Sequence, residues 1–157
     1  MADGLRPPPA LAADPDRQVV FRVAAERYGL PLASVREVVL PQPPFARVPR
    51  AGGAVRGVMN LRGRVVAVVD LAELMGLAPQ PLAAGQGQVV ILERGRRALG
   101  LLIGGVIGVE PLPAPEPASG GDHGGVVAGL ARGAGGAVTL LRPGPLAEAA
   151  AALFGAR

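Results

Sequence analysis

The chain has 157 residues, half of them hydrophobic and 18% charged, with a formal net charge of +4. Cysteine, lysine and tryptophan are absent and histidine occurs once. That alphabet excludes thiolate chemistry, cysteine zinc sites, Schiff-base and P-loop lysines and multi-histidine metal centres, leaving only carboxylates and arginines for any catalysis.

Residues 1–16 are rich in Pro and Ala and read as a disordered tail ahead of a domain at 17–154. Nine short, β-branched segments bounded by Gly or Pro follow. They are Gln18–Val23, Leu30–Val39, Val55–Leu61, Val65–Leu71, Gln88–Glu93, Ala98–Ile103, Val106–Leu112, Val126–Leu130 and Ala137–Leu141. This pattern predicts an all-β chain of one or two barrels. Two hairpins are expected, at Leu61-Arg62-Gly63-Arg64 and at Glu93–Arg97 around Gly95, each with a glycine available for positive φ.

Helical signal is confined to two places. In Asp70–Gly76, Asp70 is the expected N-cap, Glu73 occupies the third position and Gly76 is the stop. Pro145–Phe154 has a first-turn proline and an Ala-rich body. Ala78–Gly87 reads as a break between a first barrel at about 17–77, with a possible C-terminal contribution, and a second at about 88–141. Pro113–Gly125 reads as a mobile loop.

Several chemical readings are weak. The arginines are scattered and aromatic residues are few, which argues against a nucleic-acid surface. Gly100, Gly104 and Gly108 have the spacing of membrane-helix dimers, but the apolar stretch around them falls short of the roughly 20 residues needed to span a bilayer. Asp122-His123, with Ser119 nearby, sits in a Gly-rich loop without a rigid frame. With no basic–apolar leader visible, the expectation is a soluble, cytoplasmic protein without direct membrane insertion.

The informative stretch is Val55–Gly76, which holds the only Asn of the chain, Asn60. Strand alternation points Val58, Asn60 and Arg62 one way and Met59 and Leu61 the other. Arg62, at a tight turn beside apolar strands, must reach water or be paired.

Gly57-Val58-Met59-Asn60-Leu61-Arg62-Gly63, followed by Val65–Val69 and Asp70-Leu71, resembles the segment shared by the CheW family of chemotaxis coupling proteins. Upstream, Phe21, Tyr28–Leu32 and Val35-Arg36-Glu37-Val38 resemble the opening hairpin of that family and its Val-x-Glu-Val strand. The resemblance implies two SH3-like five-stranded β-barrels sharing a core, with short helices including one at the C-terminus. It implies an adaptor without catalysis, cofactor or metal, coupling a methyl-accepting chemotaxis receptor to a CheA-type histidine kinase in receptor arrays. Partner binding is expected at Val35, Glu37, Gly57, Asn60, Leu61, Arg62 and Gly63, with Glu37 and Arg62 paired across neighbouring strands at an exposed site worth about 0–1 kcal/mol.

Two departures fall in the second half, where the family pattern has Asp at the positions of Gly104 and Arg142. They motivate the alternative of a divergent paralogue that binds receptors without the kinase. A non-flagellar chemosensory pathway is a further alternative. From other classes, a small enzyme using Arg62 with Glu37 or Asp70 would need a concave pocket, and a nucleic-acid binder would show steep salt dependence.

Overall fold

A computed structural model describes residues 17–42, 45–49, 51–78, 82, 85–94, 97–118 and 121–154. The expected tail at 1–16, the Gly95 turn and Ser119 lie outside those residues. Ten strands appear. They are β1 (Arg17–Val23), β2 (Glu26–Pro31), β3 (Val35–Val39), β4 (Val55–Leu61), β5 (Arg64–Asp70), β6 (Gln88–Arg94), β7 (Arg97–Ile103), β8 (Gly105–Pro111), β9 (Val127–Gly133) and β10 (Gly136–Leu141). Helices α1 (Leu71–Leu74) and α2 (Pro143–Ala152) follow β5 and β10.

The expected single strand Leu30–Val39 is two strands. Pro31 ends β2, and a 3-10 turn at Leu32–Ser34 intervenes, closed by Ser34 Oγ donating to the Pro31 carbonyl at 2.6 Å. The expected helix Pro145–Phe154 starts instead at Pro143, because the first-turn N–H groups lack helical acceptors and proline costs nothing there. The Asp70 cap is present: its carboxylate accepts from the Ala72 N–H at 2.9 Å, and Gly76 leaves the helix at φ +76°.

The strands form two five-stranded sheets, the first ordered β3-β6-β7-β5-β4 and the second β8-β1-β2-β10-β9. The pairing therefore crosses the expected 17–77 and 88–141 division. The N-terminal hairpin β1–β2 completes the sheet of β8–β10, and β6–β7 join β3–β5. Residues 113–118, read as part of a mobile loop, are pinned where Glu116 and Leu130 exchange backbone hydrogen bonds of 2.8 and 2.7 Å.

The two sheets repeat one another strand for strand. Each has one parallel pair, β5 with β7 and β10 with β2, and each carries its helix directly after the strand of that pair. Gly57 (φ +135°) and Gly129 (φ +148°) occupy the same place: a Cβ on either would collide with a backbone carbonyl, of Ala46 or Glu116, that bridges to the next residue. The amides of Asp70 and Arg142 donate equivalently, to the carbonyls of Ala54 and Val126.

One face of each sheet enters a shared core that includes Phe21, Leu30, Val38, Leu92, Leu101 and Leu141. The other face closes a private interior, with Met59, Val66, Val68 and Ile91 in one sheet and Val20, Val138 and Leu140 in the other. Burial on both faces explains why these strands read as continuous apolar runs rather than alternating ones. Each fully buried Leu or Ile contributes about 1.5–3 kcal/mol.

Candidate partner-binding site

The site is built where β3 and the β4–β5 turn meet, at the two edges of one sheet. Arg36 is a β-bulge: Val35 opposes Leu92 and Glu37 opposes Ile91, leaving Arg36 as the extra residue on β3. A bulge re-aims the side chains that follow it. Here it sends both Val35 and Val38 into the shared core and leaves Glu37 on the side of Val39, which packs on the private interior. Glu37 is wholly buried.

Its partner is Arg62, whose guanidinium binds the Glu37 carboxylate directly. The expected pairing is present, with two corrections. The strands are not hydrogen-bonded neighbours but the edges of the sheet, and Glu37 is not exposed. Removing the guanidinium leaves the buried carboxylate only the longer 3.7 Å contact of Arg36, and breaking a fully buried pair costs several kcal/mol. Arg62 itself is 43% exposed, so about 1–3 kcal/mol is appropriate here.

The turn presents Arg62 under strain. Arg62 and Gly63 both take positive φ, +50° and +85°, the mirror-image hairpin turn that matches strand twist. Such a conformation is uncommon for arginine and costs about 1 kcal/mol. Asn60 Oδ1 stabilises it by accepting from the Gly63 N–H at 2.8 Å.

The seven expected site residues therefore separate by position. Asn60, Arg62 and Gly63 are exposed on the turn. Val35, Glu37, Gly57 and Leu61 are buried, so none of them offers its side chain or Cα to a partner directly. An open groove of about 540 Å³ runs beside Arg62, lined by Val38, Leu40, Gln42 and Asn60 among others. Leu40 is 67% exposed beside it.

Sequence reasoning missed two neighbouring constellations. Arg56 Nη2 donates to buried Asp70 at 2.7 Å and lies 3.6 Å from Glu73, so Asp70 serves an ion pair and a helix cap together. Glu93 on β6 holds Arg64 at 3.0 Å and Arg36 at 3.3 Å, while Arg36 Nε lies 3.7 Å from Glu37. Only a cross-strand register could have found these pairs, since nothing local marks Arg56 or Glu93.

The second sheet carries no such pair at the matching positions: Gly108 stands for Glu37 and Ala134 for Arg62. Arg142, where Asp70 stands in the first, donates to the carbonyls of Gly125 and Val127 at 3.1 and 2.9 Å. Gly104 donates its amide to the Arg22 carbonyl at 2.8 Å. Asp122 and His123 are exposed on a turn, and among the described residues no three His, Cys, Asp or Glu side chains cluster as metal ligands. Among those residues no helix is long and apolar enough to cross a membrane.

The chain is similar to known proteins in sequence and in fold. The chain is 30% identical over 92 residues to a probable chemotaxis protein CheW of Rhizobium etli, 58% of each chain. It is 31% identical over 93 residues to the protein PilI of Pseudomonas aeruginosa, covering 59% of this chain and 51% of that one. The matches thus span about half to three-fifths of these relatives. The crystal structure of the scaffolding protein TtCheW from Thermoanaerobacter tengcongensis superposes with a TM-score of 0.69 at 27% identity, covering 82% of this chain and 85% of that one. The CheW-like domain model matches residues 17–151, and with two SH3-like five-stranded sheets around a shared core the chain belongs to the CheW-like domain family.

Proposed function

We propose that this protein couples methyl-accepting chemotaxis receptors to a CheA-type histidine kinase, and that the Arg62 turn is part of the surface that does so. One observation carries the reading. A half-exposed guanidinium sits on a turn of positive φ, held there by a wholly buried carboxylate, an arrangement that stability alone does not call for. Strain that the surroundings maintain at a surface is a mark of function. The buried members, Val35, Gly57 and Leu61, keep the β3 and β4 frame that aims the turn. Recruitment to receptor arrays belongs to the same reading.

Titration of the kinase regulatory domain and of a receptor cytoplasmic tip with wild type and Arg62→Asn tests it. Asn tolerates positive φ, so this variant keeps the turn while losing the guanidinium. The expected result is binding by wild type and a loss of at least about 10-fold in the variant, as befits a charged anchor in an interface. A folded wild type that binds neither partner overturns the coupling role.

The second sheet supports a narrower reading, in which the protein binds receptors without the kinase. Arg142 reverses the charge that the family pattern carries there, and its guanidinium is committed to two backbone carbonyls. Receptor binding without kinase binding is the outcome that would establish it. A chemosensory pathway other than the flagellar one is a further setting for the same reading.

A further inference from the structure

Three guanidiniums, of Arg36, Arg62 and Arg64, surround the buried Glu37 carboxylate or its neighbour Glu93. All three are partly exposed, at 38, 43 and 46%, whereas Glu37 is wholly buried and offers Oε2 to both Arg62 and Arg36. Two arginines therefore converge on one oxygen, while Oε1 of the same carboxylate is buried without a hydrogen-bond partner and is open to whichever guanidinium turns toward it. The bulge brings Arg36 next to Glu37 in sequence and space, with its Nε already 3.7 Å away, whereas Arg62 must be held there from a strained turn. On geometry alone Arg36 is the less strained partner.

Glu93 changes that balance. Its Oε1 lies 3.3 Å from Arg36 Nη1 and 3.0 Å from Arg64 Nη1, closer to Arg36 than the 3.7 Å that separates Arg36 Nε from Glu37. Ion pairs this exposed contribute little to stability, so their effect is on geometry. We propose that Glu93 is the positioning residue of the Arg62 site: by engaging Arg36 it reserves Glu37 for Arg62 and so fixes the direction in which Arg62 faces a partner. This rests on the reading that Arg62 faces a partner.

The test is a suppression experiment on the full chain. Glu93→Gln keeps the shape of the side chain and removes its charge, and affinity for the kinase regulatory domain and the receptor tip is measured for wild type, Glu93→Gln, Arg36→Ala and the double variant. Glu93→Gln is expected to weaken binding about 3- to 10-fold while the melting temperature stays within about 3 °C. The double variant is expected to bind within about 2-fold of Arg36→Ala, because without Arg36 nothing competes for Glu37. A merely structural Glu93 would give no such rescue. Full affinity in Glu93→Gln, or a defect that Arg36→Ala does not relieve, overturns the proposal.

A partner-independent readout separates this from failure of the coupling role. In the free protein the Arg62 Nε–H resonance is expected to be sharp in wild type, broadened in Glu93→Gln and sharp again in the double variant. If wild type binds neither partner, that signal still decides the role of Glu93, and an unchanged resonance in Glu93→Gln rules it out.

Discussion

The two sheets share a framework and differ in chemistry. Both have a bulge opposite the strand end that starts the bridge, at Val55–Gly57 and at Val127–Gly129, both place a positive-φ glycine against a bridging carbonyl, and both fill a private interior with Val and Leu. At the ends the first has Glu37 with Arg62 and Asp70 with Arg56, where the second has Gly108 with Ala134 and Arg142 with Ala128. Since the second sheet folds the same way without these pairs, the pairs are not what specifies the fold. Glycine geometry and apolar layering do that, and the buried carboxylates of the first sheet instead hold two partly exposed guanidiniums, of Arg62 and Arg56, at its surface.

The sharpest way to break the equivalence is to remove the shared device from each sheet in turn. Gly57→Ala and Gly129→Ala both force a Cβ onto a backbone carbonyl that cannot swing away, at a φ that L-residues rarely adopt. Each is expected to cost about 3 kcal/mol or more, a fall in melting temperature of about 6–12 °C for a domain of this size. Comparable losses in thermal unfolding uphold the repeat. A large loss at Gly57 with none at Gly129 would show that the second bridge is ornamental.

The strand ends sharpen the contrast at lower cost. Asp70→Ala removes a helix cap and the shorter ion pair of Arg56, which keeps Glu73 and water, an expected loss of about 1–3 kcal/mol. Arg142→Ala removes two bonds from an exposed guanidinium to carbonyls, an expected loss of about 1 kcal/mol. Denaturant midpoints at constant slope measure both. Equal losses would mean that Arg142 braces its sheet as firmly as Asp70 does.

What the sequence made legible follows the range of the interactions. The Val55–Gly76 hairpin, its turn and its Asp70 cap were readable because they are local and use rare residue types such as Asn60. The expected Glu37–Arg62 pair was found, but the burial of Glu37 depends on a bulge at Arg36 that leaves no trace in the spacing of apolar residues. β2 was read only in part, because Glu26-Arg27-Tyr28-Gly29 is polar at its start and its strand partners come from both ends of the chain. The choice of partners for β1 and β2 was not legible either. Joining the first hairpin to β8–β10 is a decision of the shared core, in which Phe21 and Leu30 meet Leu141 only after folding.

At neutral pH the smallest effect comes from Tyr28, which stands in β2 where Leu99 stands in β7. It is the single tyrosine, so its titration is observable without interference. Burial in the shared core, with the nearby Glu26 carboxylate adding to it and a long 3.5 Å contact between them, pushes its hydroxyl up to about 12. The unfolded chain titrates near 10, so the folded state binds the proton more tightly. Stability is therefore fully present below about pH 10 and is lost as pH rises through about 12, by roughly 1–2 kcal/mol. Tyr28→Phe should flatten that slope while leaving the neutral-pH midpoint within about 1 kcal/mol, since burial of the ring is kept and only a long hydrogen bond is lost. An ultraviolet titration with a midpoint near 10 in the folded protein would mean that the hydroxyl reaches water, and that the shared core is open at the one point where the second sheet places a polar group and the first places a leucine.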